Sequence, residues 1–242
     1  MEEFIASHEN YSICQLSKNG LFDLATFVVA ENYKRHQNIA FNKDAHIDEI
    51  LDVYSEEVRF FEESKIFIAK NDRNEMIGAI RLLKWNGKDE LPITRLFGIT
   101  NLNEISPEDS NVQIWHVGRF AVSADLGRQG ILLFKVLMTY AAISICEYEK
   151  GIMFAECDSK LLRIMKIMGL KAVALDDGIE YLGSVTIPIY ITRCGMTEFV
   201  AQNQASVLNV ESSSNIPNYA HAMKQKNASF SKSKNLPERV VF

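Results

Sequence analysis

The sequence predicts an α/β (α+β) protein in which helices flank a mixed central sheet. Residues 112–122 form an apolar strand-like run that enters a glycine-containing turn, and a long apolar helix is predicted directly after it, at residues 128–148. Two more strand-like runs, residues 65–71 and 76–85, enclose an Asn-Asp-Arg-Asn segment and predict a β-hairpin. With 242 residues, 47% of them hydrophobic, the chain can bury a sizeable core.

The segment before the hairpin is predicted to contain one strand and two helices. Residues 11–16 predict the strand. Apolar residues recur at helical spacing across residues 21–35, which predicts the first helix. Asp44 or Asp48 is expected to cap a second helix that ends near Phe61.

The segment after the hairpin is irregular at first, because Pro92, Gly98 and Pro107 interrupt residues 91–111. Gly169 is the expected C-cap of a later helix. The elements predicted beyond the long helix are a strand at residues 151–157, a helix at 159–168, and strands at 171–175 and 179–193.

Composition divides the chain into a folded domain, residues 1–200, and a polar C-terminal tail or arm, residues 201–242. Asn, Ser, Gln and Lys dominate the second part, and large apolar side chains become rare. A short helix is predicted there at residues 219–226. The alternative is an arm that packs on another subunit, which the apolar final three residues favour.

Charge and cysteine content exclude several function classes. The net charge of −5 argues against a general nucleic-acid binder. The acidic start lacks the regions of a signal peptide, and we expect no apolar run long enough to span a bilayer. The cysteines form no metal-ligand pattern, so no metal site is predicted and free thiols in a cytoplasmic protein are expected: Cys14, Cys146, Cys157 and Cys194.

The turn before the long helix predicts an anion site. Backbone N–H groups at a helix N-terminus have no intrahelical partner, and the helix dipole favours a negative ligand such as phosphate. Gly127 lies in the turn, and Arg128 can add a positive charge. The expected phosphate-binding N–H groups are those of Arg128, Gln129, Gly130 and Ile131.

Two blocks of sequence resemble the GNAT acyltransferase fold. VSADLGRQGIL, residues 122–132, is similar to the turn with which the family binds a pyrophosphate or phosphopantetheine. LLRIMKIMGL, residues 161–170, is similar to the helix of the family that ends in a glycine. The resemblance covers residues 11–193 and implies a GNAT-like mixed sheet with splayed fourth and fifth strands.

The first block also departs from the family pattern. Gly130 matches the first glycine of that pattern. Gly127 replaces a Gln or Arg, and the bulky Leu132 replaces the second small residue, which changes how closely a donor can lie.

A narrower likeness concerns the strand before the turn. HVGRFAV, residues 116–122, resembles the E-x-S-R-F-x-V strand of acyl-homoserine-lactone synthases and the related strand of N-acyl amino acid synthases and ornithine-lipid acyltransferases. Arg119, Phe120 and Val122 match it, whereas His116 takes the glutamate position. This branch takes long acyl chains, usually from acyl carrier protein.

The resemblance implies an N-acyltransferase that moves a long-chain acyl group from acyl carrier protein or acyl-CoA to the amine of a small amino-acid-like acceptor. The donor is a phosphopantetheine thioester, and no permanently bound cofactor is expected. Its arm would lie between the splayed strands against the main chain of Phe120, Ala121 and Val122. The acyl product would give peripheral membrane contact, and no nucleic acid is involved.

Two other functions stay open at this point. One is an acetyl-CoA-dependent N-acetyltransferase with the same fold. The other is a GNAT-shaped binding module without turnover, which Gly127 in place of Gln or Arg favours.

Three side chains are candidates for catalysis. Histidine side chains titrate near neutral pH, so His116 is the candidate base, the alternative being a buried core histidine. Glu156 is the reserve base, or else a cap of the next helix. Arg119 either clamps a substrate carboxylate or an acidic residue of the N-terminal helices, or forms a structural ion pair across the sheet.

Regular strand alternation predicts that His116, Gly118, Phe120 and Val122 share one face of the sheet and that Arg119 lies on the other. Four methionines would either line a flexible acyl pocket or fill the core: Met138, Met153, Met165 and Met168. Five basic residues would either dock an acidic carrier or form a solvated helix face: Arg128, Lys135, Lys160, Arg163 and Lys166.

Overall fold

The computed structural model describes residues 2–37, 41–105, 112–148, 150–181 and 184–204. Within these ranges nine strands form one sheet: β1 (Glu3–His8), β2 (Tyr11–Gln15), β3 (Ser64–Asn71), β4 (Met76–Lys84), β5 (Gln113–Val122), β6 (Gly151–Asp158), β7 (Val173–Ala174), β8 (Ile179–Tyr181) and β9 (Ser184–Thr192). The same ranges contain six α-helices: α1 (Leu21–Gln37), α2 (Ile47–Arg59), α3 (Pro92–Phe97), α4 (Gln129–Cys146), α5 (Ser159–Ile167) and α6 (Arg193–Asn203).

The strands lie in the order β1-β2-β3-β4-β5-β6-β9-β7, and β8 pairs with β9. Strands β5 and β6 run parallel, whereas the other described neighbours are antiparallel. A parallel pair needs a crossover connection, which α4 supplies. This mixed sheet flanked by helices confirms the predicted fold class.

Helices cover both faces of the sheet. On one face Leu137 of α4 packs in the same apolar cluster as Phe67 of β3. On the opposite face Leu24 of α1 packs with Ile68, the neighbour of Phe67 in β3. Adjacent strand residues point to opposite faces, so β3 is buried on both sides. Helix α6 packs along α4.

Helix α4 is long and apolar enough to cross a membrane, which corrects the expectation that the chain has no such run. That test considers length and composition alone. In the fold, 67% of the helix is buried against the sheet and α6, the surroundings of a core helix.

Local hydrogen bonds determine where α5 begins and ends. The Asp158 carboxylate accepts a hydrogen bond from the N–H of Leu161 at 2.7 Å and so caps the N-terminus. Gly169 has a left-handed backbone with φ of 91°, and the N–H of Leu170 bonds to the carbonyl of Met165 at 3.0 Å. This pattern confirms Gly169 as the C-cap. The expected cap of α2 is wrong, because its N-cap is His46.

The single strand predicted at residues 179–193 is wrong, because β8 and β9 are separate strands that pair with each other. Three further elements are absent from the sequence prediction. Strand β1 pairs with β2 at the sheet edge, and Ala6 is the buried one of its six residues. Helix α3 begins at Pro92 and is only one and a half turns long. Helix α6 continues to Asn203, so residues 201–203 belong to the folded part and not to the tail. The predicted tail helix and residues 205–242 lie outside the described residues.

Gly169→Ala is expected to lower the free energy of unfolding by about 1 kcal/mol, because a left-handed backbone strains a residue with a Cβ. Urea denaturation measures this. Gly87→Ala, with φ of 76° and open space around the added carbon, carries the same backbone strain and should lose a similar amount. At Gly169 the added carbon would also lie 2.9 Å from Gln202 Oε1, so Gly169→Ala should lose at least as much as Gly87→Ala. An unchanged unfolding midpoint for Gly169→Ala would contradict the assigned cap.

Candidate active site

Strands β5 and β6 separate halfway along their length. They pair in register from Gln113 with Gly151 to His116 with Phe154, and the ladder ends there. Beyond that point a cavity of about 300 Å³ lies between them. The sequence prediction lacks β1, so its fourth and fifth strands correspond to β5 and β6 of the structure. Their predicted splay is confirmed.

A β-bulge in β5 lies shortly after the end of this ladder, between Gly118 and Ala121. Ala79 of β4 pairs with Ala121, but Arg81 pairs with Gly118, so β5 contains one extra residue opposite Ile80. Arg119 has φ of 52°, a left-handed conformation that costs a residue with a side chain about 1–3 kcal/mol. The bulge bends β5 and opens the space beside β6.

The bulge also reverses the alternation of side chains along β5. Before it, Val117 faces the core that contains α4. After it, Phe120 faces α4 and stacks edge-on against Phe134, with ring centroids 4.5 Å apart. The prediction that His116 and Phe120 share a face is therefore wrong, because the extra residue shifts the period of two by one position. The bulge turns the Arg119 side chain toward helix α2, away from the face that α4 covers.

Arg119 belongs to a buried ion-pair cluster with α2. Glu57 is 1% exposed, and its Oε1 accepts from Arg81 Nη1 at 2.6 Å and from Arg119 Nε at 2.7 Å. Glu56 Oε1 lies 3.2 Å from Arg81 Nη1 and 2.8 Å from Arg119 Nη2. Arg119 thus pairs with acidic residues of an N-terminal helix, which is one of its predicted alternatives.

These contacts shift the pKa values of Arg119 and Glu56. Burial would lower the pKa of Arg119, but the carboxylates of Glu57 and Glu56 outweigh it and raise that pKa. Burial would raise the pKa of Glu56, but the guanidinium groups of Arg119 and Arg81 hold it below its ordinary value. Both groups are therefore charged at neutral pH.

His116 links this cluster to Glu156. The buried imidazole lies between Arg81 Nη2, 3.4 Å from Nδ1, and the Glu156 carboxylate, whose oxygens are 2.9 and 3.1 Å from Nε2. A guanidinium only donates, so Nδ1 accepts and the proton lies on Nε2, which donates to Glu156. In this arrangement His116 orients Glu156. The helix cap considered for Glu156 is instead Asp158.

The cavity wall is charged on one side of the sheet and apolar on the other. Charged groups line the side of α2 and α3, including Arg95 and Glu156. Apolar side chains of α4, α5 and β6 line the other side: Phe134, Met138, Met153, Leu161 and Met165. Three of the four methionines considered for an acyl pocket therefore face the cavity, and Met168 packs against the neighbouring core.

A second cavity of about 510 Å³ lies beside the first, where the N-termini of α4 and α5 meet. Ala121 lines the first cavity only. Five of the predicted donor-binding residues line the second cavity: Phe120, Val122, Gly127, Gly130 and Ile131. Arg128 and Gln129 are exposed at the rim. Leu132 is 63% exposed and points to solvent, so it does not narrow the donor space as expected.

Glu31 of α1 fixes the turn between β5 and α4. Its buried carboxylate accepts from the N–H of Ala124 at 2.8 Å and from Lys34 Nζ at 2.8 Å. The N–H groups of Gly130 and Ile131 make long bonds of 3.3 and 3.2 Å within the turn. These distances are at or just beyond the long end of the normal range for N–H···O bonds.

Cys157 also lines the first cavity but is not activated. Burial, together with the negative charges of Asp158 and Glu156, raises the pKa of its thiol to about 12. A thiol with this pKa stays protonated and does not act as a nucleophile at neutral pH.

The ion-pair cluster contains the residues that sequence analysis missed. Arg81 is one signal that could have found it, because a charged residue stands in the otherwise apolar run of β4. The Glu56-Glu57 pair at the end of α2 is another, since a fully buried acid needs a cation.

The separated parallel strands, with a glycine-containing turn and helix at their end, make up the GNAT acyltransferase fold. FeeM, an N-acyl amino acid synthase from uncultured soil microbes, has this fold and matches with a TM-score of 0.55 and 13% identity over 80% of this chain and 97% of its own. TofI, solved with an inhibitor and MTA, matches at 0.52 and 10% identity over 81% and 96%. An acetyltransferase from Corynebacterium glutamicum related to histone acetyltransferase HPA2 matches at 0.50 and 10% identity over 75% and 96%.

These likenesses establish the fold. No family model and no curated protein matches the chain.

Glu56→Gln is expected to lower the free energy of unfolding by about 2–3 kcal/mol at pH 7, because Arg119 and Arg81 lose a charged partner. The folded-state pKa of Glu56 is depressed, so its contribution is present above its ordinary pKa and is lost as the pH falls through the folded value. The gap between wild type and variant should therefore shrink on acidification.

Urea unfolding at pH 7 and at pH 4 measures both effects. Glu63→Gln, at an exposed site just after α2, is the matched control and should change stability by less than about 0.5 kcal/mol. A Glu56→Gln protein as stable as the wild type at pH 7 would contradict the cluster.

Proposed function

We propose that the protein is an N-acyltransferase that moves a long-chain acyl group from a phosphopantetheine thioester to the amine of a small amino-acid-like acceptor. One observation carries this proposal: the gap between β5 and β6 joins a polar end with the His116–Glu156 pair to an apolar end. A thioester lying in the gap has its carbonyl between a proton acceptor and a pocket for its chain. The protein is expected to work in the cytoplasm, where such thioesters are made.

Glu156 takes the proton in this proposal, and His116 is a positioning residue. The Glu156 side chain lines the cavity and is 12% exposed, whereas that of His116 is 2% exposed, with hydrogen-bond neighbours at both ring nitrogens. The bond from Nε2 leaves lone pairs on the carboxylate for an incoming ammonium. Glu156, the reserve base in the sequence analysis, is therefore the proposed base in place of His116.

The reaction needs no covalent enzyme intermediate. The acceptor ammonium gives a proton to Glu156, and the neutral amine attacks the thioester carbonyl carbon. A C–N bond forms, the C–S bond breaks, and the second proton on nitrogen passes to the thiolate. Glu156 then releases its proton to water. Holding both reactants in one gap supplies the proximity that such an attack requires.

The main chain of β5 holds the pantetheine arm. Its ladder with β6 ends at His116, so across the described residues Phe120 and Ala121 have no β6 partner and face the cavity. Their main-chain groups bind the arm as a strand would. The phosphate lies at the turn of Gly127, Gly130 and Ile131, where helix dipole and N–H groups favour an anion.

The apolar wall favours a long acyl chain over acetyl. Met138, Met153 and Met165 are flexible side chains that adapt to an apolar ligand. Their cavity extends past Phe134, well beyond the space that an acetyl group fills.

Basic side chains on and beside α4 and α5 favour acyl carrier protein as the donor, and one of them, Lys160, lines the second cavity. Helices α4 and α5 contain no acidic residue, although the chain carries a net charge of −5. Such a surface attracts an acidic carrier. The basic residues of these two helices, with the residue before α4, are Arg128, Lys135, Lys160, Arg163 and Lys166.

Glu156→Gln is expected to lower kcat by about 10²- to 10⁴-fold, the usual contribution of a general base, with little change in donor KM. His116→Gln keeps an N–H donor for Glu156 and should lose less activity than His116→Ala. Thiol release in stopped assays measures these rates. A Glu156→Gln protein with the wild-type rate would remove the base assignment.

Cys157→Ser is expected to keep most of the activity, because the acyl group passes directly to the amine. Burst kinetics with the donor alone should show no acyl-enzyme. A large loss of kcat, together with an acylated protein mass in the wild type, would contradict direct attack.

Donor and acceptor are tested together by thiol release with palmitoyl-carrier protein, palmitoyl-CoA and acetyl-CoA over a panel of amines. Release with both palmitoyl donors, faster with the carrier protein, is expected. Activity with acetyl-CoA alone would identify an N-acetyltransferase. Donor binding without product from any amine would identify a binding module. Mass spectrometry of lipids from producing cells then names the chain and the acceptor.

A further inference from the structure

The turn before α4, where the proposed function places the phosphate, is exposed and has long internal hydrogen bonds. Most residues from 124 to 129 are exposed. The N–H of Leu126 bonds to the carbonyl of Ser123 at 3.2 Å. The N–H of Gly127 bonds to the carbonyl of Ala124 at 3.3 Å. An exposed segment with such bonds needs anchors on other elements to keep one conformation.

Two short hydrogen bonds anchor the start of this turn. The N–H of Ser123 bonds to the carbonyl of Ile77 in β4 at 2.9 Å. The N–H of Ala124 bonds to the Glu31 carboxylate of α1 at 2.8 Å. The second bond is charge-assisted and therefore of the stronger type. Helix α1 also contacts β5 and the turn itself, so it supports the turn from outside.

The Glu31 carboxylate pairs with a cation on its own helix. Its side chain is 4% exposed, and Lys34 Nζ lies 2.8 Å from Oε1. This hydrogen bond raises the pKa of Lys34, so the ammonium is charged at neutral pH. Asp125 Oδ2 lies 3.9 Å from the same ammonium, too far for a hydrogen bond. A carboxylate one hydrogen bond away from the turn would repel a phosphate there, and Lys34 offsets that repulsion.

Glu31 also connects the two cavities. It lines the first cavity, whereas Ala124, whose N–H it accepts, lines the second. Val28 and Asn32 of α1 line the first cavity as well. One helix thus forms part of the wall where acyl transfer is proposed and holds the turn where the phosphate is proposed.

From these contacts we infer that Glu31 is a positioning residue for the acyl donor, because it holds the turn before α4 in the conformation that binds phosphate. Lys34 keeps the Glu31 charge from opposing that phosphate. The inference rests on the proposed function and adds to it a residue outside the turn that sets the affinity for the acyl donor. The effect of Glu31 therefore falls on donor binding and not on the proton transfer assigned to Glu156.

Calorimetry without an acceptor amine measures this effect, using the full-length protein with coenzyme A and with palmitoyl-carrier protein. Glu31→Ala removes the acceptor for the Ala124 N–H and should raise the Kd of the acyl donor by about 10- to 100-fold, the usual contribution of a hydrogen bond to a charged group. Glu31→Gln keeps an acceptor oxygen and should bind the donor more tightly than Glu31→Ala. In turnover the loss should appear in donor KM and much less in kcat.

Lys34→Gln leaves the Glu31 carboxylate without its cation and should also weaken donor binding. Adding Glu31→Gln removes that charge and should restore part of the affinity, a recovery that lost packing alone would not produce. A double variant that binds no better than Lys34→Gln would overturn the role of Lys34. Lys18→Gln and Asp23→Asn are the matched controls, because each removes an exposed charge at the start of α1, and both should bind the donor like the wild type.

Urea unfolding separates this role from a merely structural one. A lower unfolding midpoint for Glu31→Ala with an unchanged donor Kd would overturn the inference and leave acyl transfer intact. Weaker donor binding by Glu31→Ala, with recovery in Glu31→Gln, supports the inference even if no amine is acylated, in which case acyl transfer alone fails. A wild type that binds neither donor overturns both the inference and the proposed phosphate site.

Discussion

The structure depends on one constraint, the one-residue bulge at Arg119 that ends regular pairing in the middle of the sheet. Its left-handed backbone is unfavourable, and the ion pairs of Arg119 with Glu56 and Glu57 hold it in place. The ladder of β5 with β6 stops at His116, just before the bulge, and the opening between the two strands lies beside the bulged segment.

The same ion pairs decide what chemistry the opening can perform. They use two of the three arginines that line the cavity, and Arg81 also lies 3.4 Å from Nδ1 of His116. His116 in turn holds Glu156. Among the described residues the cluster thus leaves Glu156 without an arginine partner beside the gap, where the proposed reaction needs a proton acceptor.

The sequence predicts the fold well because its signals are local. Apolar periodicity and the glycine caps place most strands and helices within a few residues, and the turn of residues 127–131 stands beside a cavity as expected. The bulge is not predictable in this way, because it depends on the register between β4 and β5. For the same reason His116 and Glu156 could be named as candidates, but their contact across forty residues and the roles it implies could not.

A crystal structure with a non-hydrolysable palmitoyl thioester analogue tests the central claim most directly. The account predicts that the phosphate lies at the turn before α4, that the arm runs along β5 beyond His116, and that the acyl chain passes Met138 and Met165 with the carbonyl beside Glu156. An analogue bound elsewhere, with the space between β5 and β6 still vacant or closed, would contradict the account.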